Sequence, residues 1–166
     1  SCVVCPAHAN STTGSDAVTD CVCVASWYGA LGGPCTYSCP VSSSSMAGSN
    51  ELTGCTCNAS YMGPNGGPCQ SCTADDYCPG GTESIECANF SSSPPGSSAA
   101  TDCICVGGYQ GDAGGPCTLC PPNTYCASGD LSVCPTHALS TSGSNEVTDC
   151  SCKGGYYGVD GGACTK

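Results

Sequence analysis

Basic residues are almost absent from this sequence. Lys153 and Lys166 are the only two, set against thirteen acidic residues for a net charge of −11. A nucleic-acid partner needs clustered Lys and Arg to replace counterions on phosphate, and an anionic membrane surface needs the same, so both are excluded as partners. Large apolar side chains are scarce as well: Leu, Ile, Val and Phe together number 18, with Trp27 the single Trp and Phe90 the single Phe. A conventional apolar core is therefore not expected. No run approaches the roughly 18 apolar residues that a membrane span requires, and no window carries helical periodicity. Ser1 does not begin a signal-peptide pattern, which predicts a mature segment cut from a longer array.

What the sequence has in abundance is cysteine, 21 in all. That density belongs to disulfide scaffolds, in which cross-links replace apolar burial, and it predicts an oxidising, extracellular or cell-surface location. A reduced thiolate protein loaded with metal is the rival reading. It would not need eight Tyr, twelve Pro and 24 Gly at fixed offsets from the cysteines.

The offsets define a repeat. Cysteines 5, 21, 23 and 35 form a frame C-x15-C-x-C-x11-C, repeated at 39, 55, 57 and 69, at 87, 103, 105 and 117, and at 134, 150, 152 and 164. Four residues after the third cysteine of each frame stands an aromatic: Trp27, Tyr61, Tyr109 and Tyr156. Two further on is a glycine (Gly29, Gly63, Gly111, Gly158), and a Gly-Gly pair nears the last cysteine. The glycines predict tight turns between short strands. The aromatic is expected to cover the cystines as a miniature core, with a carbohydrate-stacking platform as the functional alternative. Short ribbons around the C-x-C pairs and irregular loops elsewhere are the expected secondary structure. The junctions differ: Cys72 and Cys78 precede the third frame, Cys120 and Cys126 the fourth. The expected modules are residues 1–35 and 36–69 with four framed cysteines each, and 70–117 and 118–166 with six. With only two to four residues joining them, a stiff, elongated array whose modules touch only their neighbours is expected.

The tail C-x-C-x2-G-Y-x-G, present at Cys103-Ile104-Cys105-Val106-Gly107-Gly108-Tyr109-Gln110-Gly111 and again from Cys150 to Gly158, resembles the closing half of an EGF-like domain. Six cysteines permit fifteen pairings. The resemblance implies the order 1–3, 2–4, 5–6: Cys72–Cys87, Cys78–Cys103 and Cys105–Cys117, then Cys120–Cys134, Cys126–Cys150 and Cys152–Cys164. The first two modules lack the opening pair and would close as Cys5–Cys21 with Cys23–Cys35, and Cys39–Cys55 with Cys57–Cys69. Cys2 is left odd, read as half of a bridge to a residue before Ser1, a link to another subunit, or a free thiol. With junctions such as Cys117-Thr118-Leu119-Cys120-Pro121, the array also resembles the ephrin-receptor-like cysteine-rich repeats of protist surface proteins. More loosely it is similar to the glycoproteins of algal flagellar hairs. Closing a 15-residue loop is worth roughly 3 kcal/mol in the chain-entropy model, so the bridges suffice to fold modules this small.

Candidate sites are modifications more than chemistry. Asn10-Ser11-Thr12, Asn58-Ala59-Ser60 and Asn89-Phe90-Ser91 are N-glycosylation sequons. The runs Ser42, Ser43, Ser44, Ser45 and Ser91, Ser92, Ser93, Pro94, Pro95 read as O-glycosylation sites or as plain polar loops, and in an algal source the two prolines as hydroxylation sites. His8 and His137 are repeat-equivalent and not partners, and Asp20, Asp102 and Asp149 read as turn residues before a cysteine, so no catalytic residue is expected. Some EGF-like domains bind calcium through acidic residues before the first cysteine. Gln70-Ser71 and Thr118-Leu119 stand there instead, and Asp75-Asp76 is a weak substitute, so neither metal nor cofactor is expected. The predicted function is an extracellular structural glycoprotein, a subunit of a fibre, flagellar hair or coat that self-associates. A receptor or adhesin ectodomain using Trp27-Tyr28 is the alternative, and a secreted inhibitor ranks last.

Overall fold

The computed structural model describes residues 3–166, so Cys2 lies outside the described residues. Contacts divide the chain into two units, one running to Cys72 with Cys78–Ser84, the other comprising Thr73–Tyr77 with Ile85–Lys166. Both are built from one elementary loop. A cysteine opens it, and three residues later one residue turns the backbone into the left-handed region. A short strand follows, and a second cysteine closes the loop onto the first. The strand then pairs, antiparallel, with residues beyond the closing cysteine. In the first loop Cys5 is the opener, His8 has φ +56°, Cys21 closes, and Ala9–Asn10 pairs with Val22–Cys23.

Ten such loops are present among the described residues, opened by cysteines 5, 23, 39, 57, 72, 87, 105, 120, 134 and 152. The left-handed residues are His8, Ser26, Ser42, Ser60, Asp75, Phe90, Gly108, Asn123, His137 and Gly155, with φ between 56° and 88°. In nine of them the carbonyl of that residue accepts an N–H from the next opening cysteine or the residue after it, at 2.9–3.1 Å. This bond passes each loop to its successor. Strands of two residues are too short to stand alone, and the cystine supplies what the ladder lacks. The exception in length is Thr124–Ala127 paired with Asp130–Val133. Its two-residue turn, Ser128-Gly129, has φ of +51° and +90°, the sign that a tight type I′ hairpin requires.

The pairing implied by the EGF-like resemblance is corrected here. The bridges are Cys72–Cys78 and Cys87–Cys103 where Cys72–Cys87 and Cys78–Cys103 were expected, and Cys120–Cys126 and Cys134–Cys150 where Cys120–Cys134 and Cys126–Cys150 were expected. The reason is local. Asp75 and Phe90 both turn left-handed, as do Asn123 and His137, so Cys72, Cys87, Cys120 and Cys134 all open loops. Each is closed by the next cysteine in the chain. Cys5–Cys21, Cys23–Cys35, Cys39–Cys55, Cys57–Cys69, Cys105–Cys117 and Cys152–Cys164 are formed as well.

The core is made of sulfur. Apart from Ala138, every buried apolar side chain among the described residues is a half-cystine. The recurrent glycines have separate causes. Gly66 and Gly114, from the Gly-Gly pairs, have φ of +74° and +76°, and a Cβ there would meet the carbonyls of Leu52 and Ala100 at 2.7 Å. Gly63 and Gly111 are required by close approach instead, a Cβ falling 2.5 Å from the carbonyls of Pro68 and Pro116. Before the second cysteine of each frame the chain makes a single 3-10 turn: Val18–Asp20, Leu52–Gly54, Ala100–Asp102 and Val147–Asp149. No α-helix occurs among the described residues, and none of them forms a helix long and apolar enough to cross a membrane. The chain is a small disulfide-rich fold of tandem hairpin modules.

Candidate functional site

The aromatic of each frame is half-buried, and three of the four stack on the left-handed residue of the preceding loop. His8 lies on Trp27 with centroids 3.5 Å apart and planes 4° from parallel. Phe90 lies on Tyr109 at 4.3 Å and 7°, and His137 on Tyr156 at 4.1 Å and 30°. Tyr156 also packs on the cluster of Ala138, Cys150 and Cys164, as the covering role requires. The Nζ of Lys153 sits 4.9 Å from the centroid of the same ring, a cation–π contact. In the second frame the stacking position is Ser42, which has no ring.

Trp27–Tyr28 forms a strand paired with Tyr37–Ser38, in register Tyr28 to Tyr37. The two tyrosine rings stack at 5.4 Å, and Tyr37 is 61% exposed. Trp27 is stacked on His8, and of the Tyr28–Tyr37 pair Tyr37 is exposed while Tyr28 is half-buried. Tyr37 lies in the linker outside the shared frame, which is why the repeat pattern did not single it out.

The sequon asparagines Asn10, Asn58 and Asn89 are all exposed. Asn10 lies in the first strand and, with Thr12, lines an open hollow of about 560 Å³ that also includes Asp20 and Val22. Asn58 follows Cys57, and its Oδ1 accepts the Ser44 hydroxyl at 2.6 Å. Asn89 precedes Phe90, and Ser91 closes a turn by donating to the carbonyl of Ala88 at 2.6 Å.

Each serine run contains a two-residue strand. Ser43–Ser44 pairs with Thr56–Cys57, and Ser91–Ser92 with Ile104–Cys105. Ser45 and Ser93 are only 7% and 6% exposed and donate to the carbonyls of Trp27 and Asp76. Their hydroxyls are thus spent inside the fold, which removes both from the expected O-glycosylation sites. Ser42, Ser43, Ser44, Ser91 and Ser92 are half-buried, while Pro94 and Pro95 are exposed.

The remaining polar candidates close turns. Asp20 accepts the N–H groups of Asp16 and Ala17, Asp102 those of Ser98 and Ala99, and Asp149 those of Asn145 and Glu146, at 2.7–3.2 Å. The bond from the Ser98 N–H, then that from Ala99, holds the Asp102 carboxyl below its ordinary pKa. Asp76 accepts the Thr73 hydroxyl at 2.7 Å while Asp75 makes the left-handed turn. Gln70–Ser71 and Thr118–Leu119 are strands. Among the described residues no group of three or more His, Cys, Asp or Glu is placed to hold a metal ion.

A cystine-cored ladder of hairpins, with its functional groups on strand surfaces and turns, defines the class: a disulfide-rich tandem-repeat protein. No known family model matches the sequence, and no curated protein matches it.

Proposed function

We propose that this chain is a segment of an extracellular structural glycoprotein, a subunit of a fibre, flagellar hair or surface coat whose activity is self-association. The observation that carries the reading is the single bonding rule by which each cystine loop hands its chain to the next. A rule that holds from one loop to the next suits an element whose job is to persist along a length. Ten cystines suit an oxidising exterior. The exposed sequons Asn10, Asn58 and Asn89 supply places for glycans, and Val41, Met46 and Val133 are large apolar side chains left in solvent for partners to cover. The reading is non-catalytic: His8 and His137 are engaged in stacking, and Asp20, Asp102 and Asp149 in turns. It agrees with the resemblance to ephrin-receptor-like repeats of surface proteins.

Electron microscopy of the native, non-reduced protein tests it. Filaments with a fixed axial repeat are the expected outcome, and particles that never associate at any concentration would overturn it. The second reading, a receptor or adhesin ectodomain, is favoured by the exposed Tyr37 stacked on Tyr28. An amphipathic aromatic pair of this kind suits a sugar or protein ligand. Glycan-array binding that is lost in Tyr37→Ala would support that reading over the first.

A further inference from the structure

The stacked pair recurs in three frames, and the frame that lacks it carries a sequon at the adjoining position. In frames one, three and four the two stacked residues are tied through the residue after the third cysteine, Val24, Val106 or Lys153. Its N–H donates to the left-handed residue (His8, Phe90, His137) at 2.9–3.0 Å, and its carbonyl accepts from the frame aromatic at 3.1 Å. Frame two keeps both bonds. The Asn58 N–H donates to the Ser42 carbonyl at 2.9 Å, and the Tyr61 N–H donates to the Asn58 carbonyl at 3.0 Å. Ser42 has φ +62°, inside the range of +56° to +65° at which His8, Phe90 and His137 present their rings. The backbone is thus set for a ring that the residue does not supply. In the fourth frame the equivalent of Asn58 is Lys153, whose Nζ lies 4.9 Å from the centroid of Tyr156.

We propose that the first N-acetylhexosamine of a glycan on Asn58 lies against Tyr61 and takes the place that His8, Phe90 and His137 hold in the other frames. The inference rests on the reading of the chain as an extracellular glycoprotein. A pyranose offers a face of C–H groups, apolar and slightly positive, to the electron-rich face of a tyrosine, while its hydroxyls stay in water. The linkage forms when the Asn58 Nδ2 attacks the anomeric carbon of an oligosaccharide carried on a polyprenyl pyrophosphate. The N–C1 bond forms as the C1–O bond breaks, the lipid pyrophosphate leaves, and the amide proton passes to a base of the transferase. Asn58 is exposed and Tyr61 half-buried, so part of the tyrosine is open to a sugar on Asn58.

The test uses the full chain secreted from eukaryotic cells and trimmed to one sugar per site. Mass spectrometry of glycopeptides reads occupancy at Asn10, Asn58 and Asn89, and NMR reads the sugar on Asn58. The expected result is an occupied Asn58 whose sugar protons are shifted upfield and show cross-relaxation with the Tyr61 ring. Tyr61→Leu keeps occupancy and loses both signals. Ser42→Phe, which puts a ring where Phe90 has one, also loses both, with Cys39–Cys55 and Cys57–Cys69 still formed on mapping. An empty Asn58 beside occupied Asn10 and Asn89 overturns the proposal, as does a sugar signal that Tyr61→Leu leaves unmoved. Empty sequons at all three positions overturn the glycoprotein reading instead.

Discussion

Eight of the ten left-handed positions carry a side chain: two His, three Ser, one Asp, one Asn and one Phe, with Gly108 and Gly155 filling the other two. No β-branched residue occurs among them, because branching at Cβ makes this backbone region a true outlier. That exclusion is the only sequence trace of the motif. Chemically the ten residues share nothing else, which is why spacing revealed the frames and left the turn unseen. Ser26→Val is therefore expected to cost about 1–2 kcal/mol, and Ser26→Gly to be neutral or mildly stabilising, as read by denaturant unfolding with the disulfides intact. Asp102 offers a second test at this scale. Its folded pKa lies below the unfolded value because two backbone N–H groups donate to the carboxylate. The stabilisation is fully present above the unfolded value of about 3.9 and is lost as pH falls through the lower folded one. Asp102→Asn should flatten that acid-side decline in a pH series of unfolding midpoints. Gly54, at the equivalent place in the second frame, has no carboxylate to lose, and a Cβ there would meet the Ser49 Oγ at 3.0 Å.

At the scale of the element, the cystine loop explains both what was readable and what misled. The frame C-x15-C-x-C-x11-C occurs without an added cysteine pair in the first two modules, so its closures there were legible. The resemblance in the tail around Tyr109 and Tyr156 implies longer-range partners for Cys72, Cys78, Cys120 and Cys126, which instead pair as Cys72–Cys78 and Cys120–Cys126. The identity of all four frames already argued the other way. If Cys39 closes on Cys55 across fifteen residues, then Cys87 and Cys134, with the same spacing, have no need of Cys72 or Cys120. Loop length sets a measurable consequence. The Cys134–Cys150 bridge spans a sequence separation of 16 and the Cys120–Cys126 bridge one of 6. In the chain-entropy model the longer loop constrains the unfolded chain more, by about 1 kcal/mol. The double variant C134S/C150S should therefore be less stable than C120S/C126S by about that amount. Equal losses in chemical denaturation would mean that native packing around the half-cystines outweighs loop closure.

For the whole molecule, charge and core pull in different directions. The interior offers almost nothing apolar beyond sulfur, so the chain has no surplus of buried surface with which to offset repulsion between copies. Its net charge is −11, with Lys153 and Lys166 the only cations. Two copies meeting in dilute buffer repel, and the exposed Val41 and Met46 must be brought together against that repulsion. Screening decides the outcome: the Debye length falls from about 30 Å at 0.01 M salt to about 8 Å at 0.15 M. If self-association is the activity, added sodium chloride should lower the concentration at which assemblies form, as followed by light scattering or sedimentation. An assembly held by ion pairs would behave oppositely and loosen as salt rises. With so few cations, such pairing would have to run through Lys153 or Lys166, and charge reversal at those two positions would then abolish assembly. Salt-promoted association that survives Lys153→Glu would instead place the contact on apolar surface.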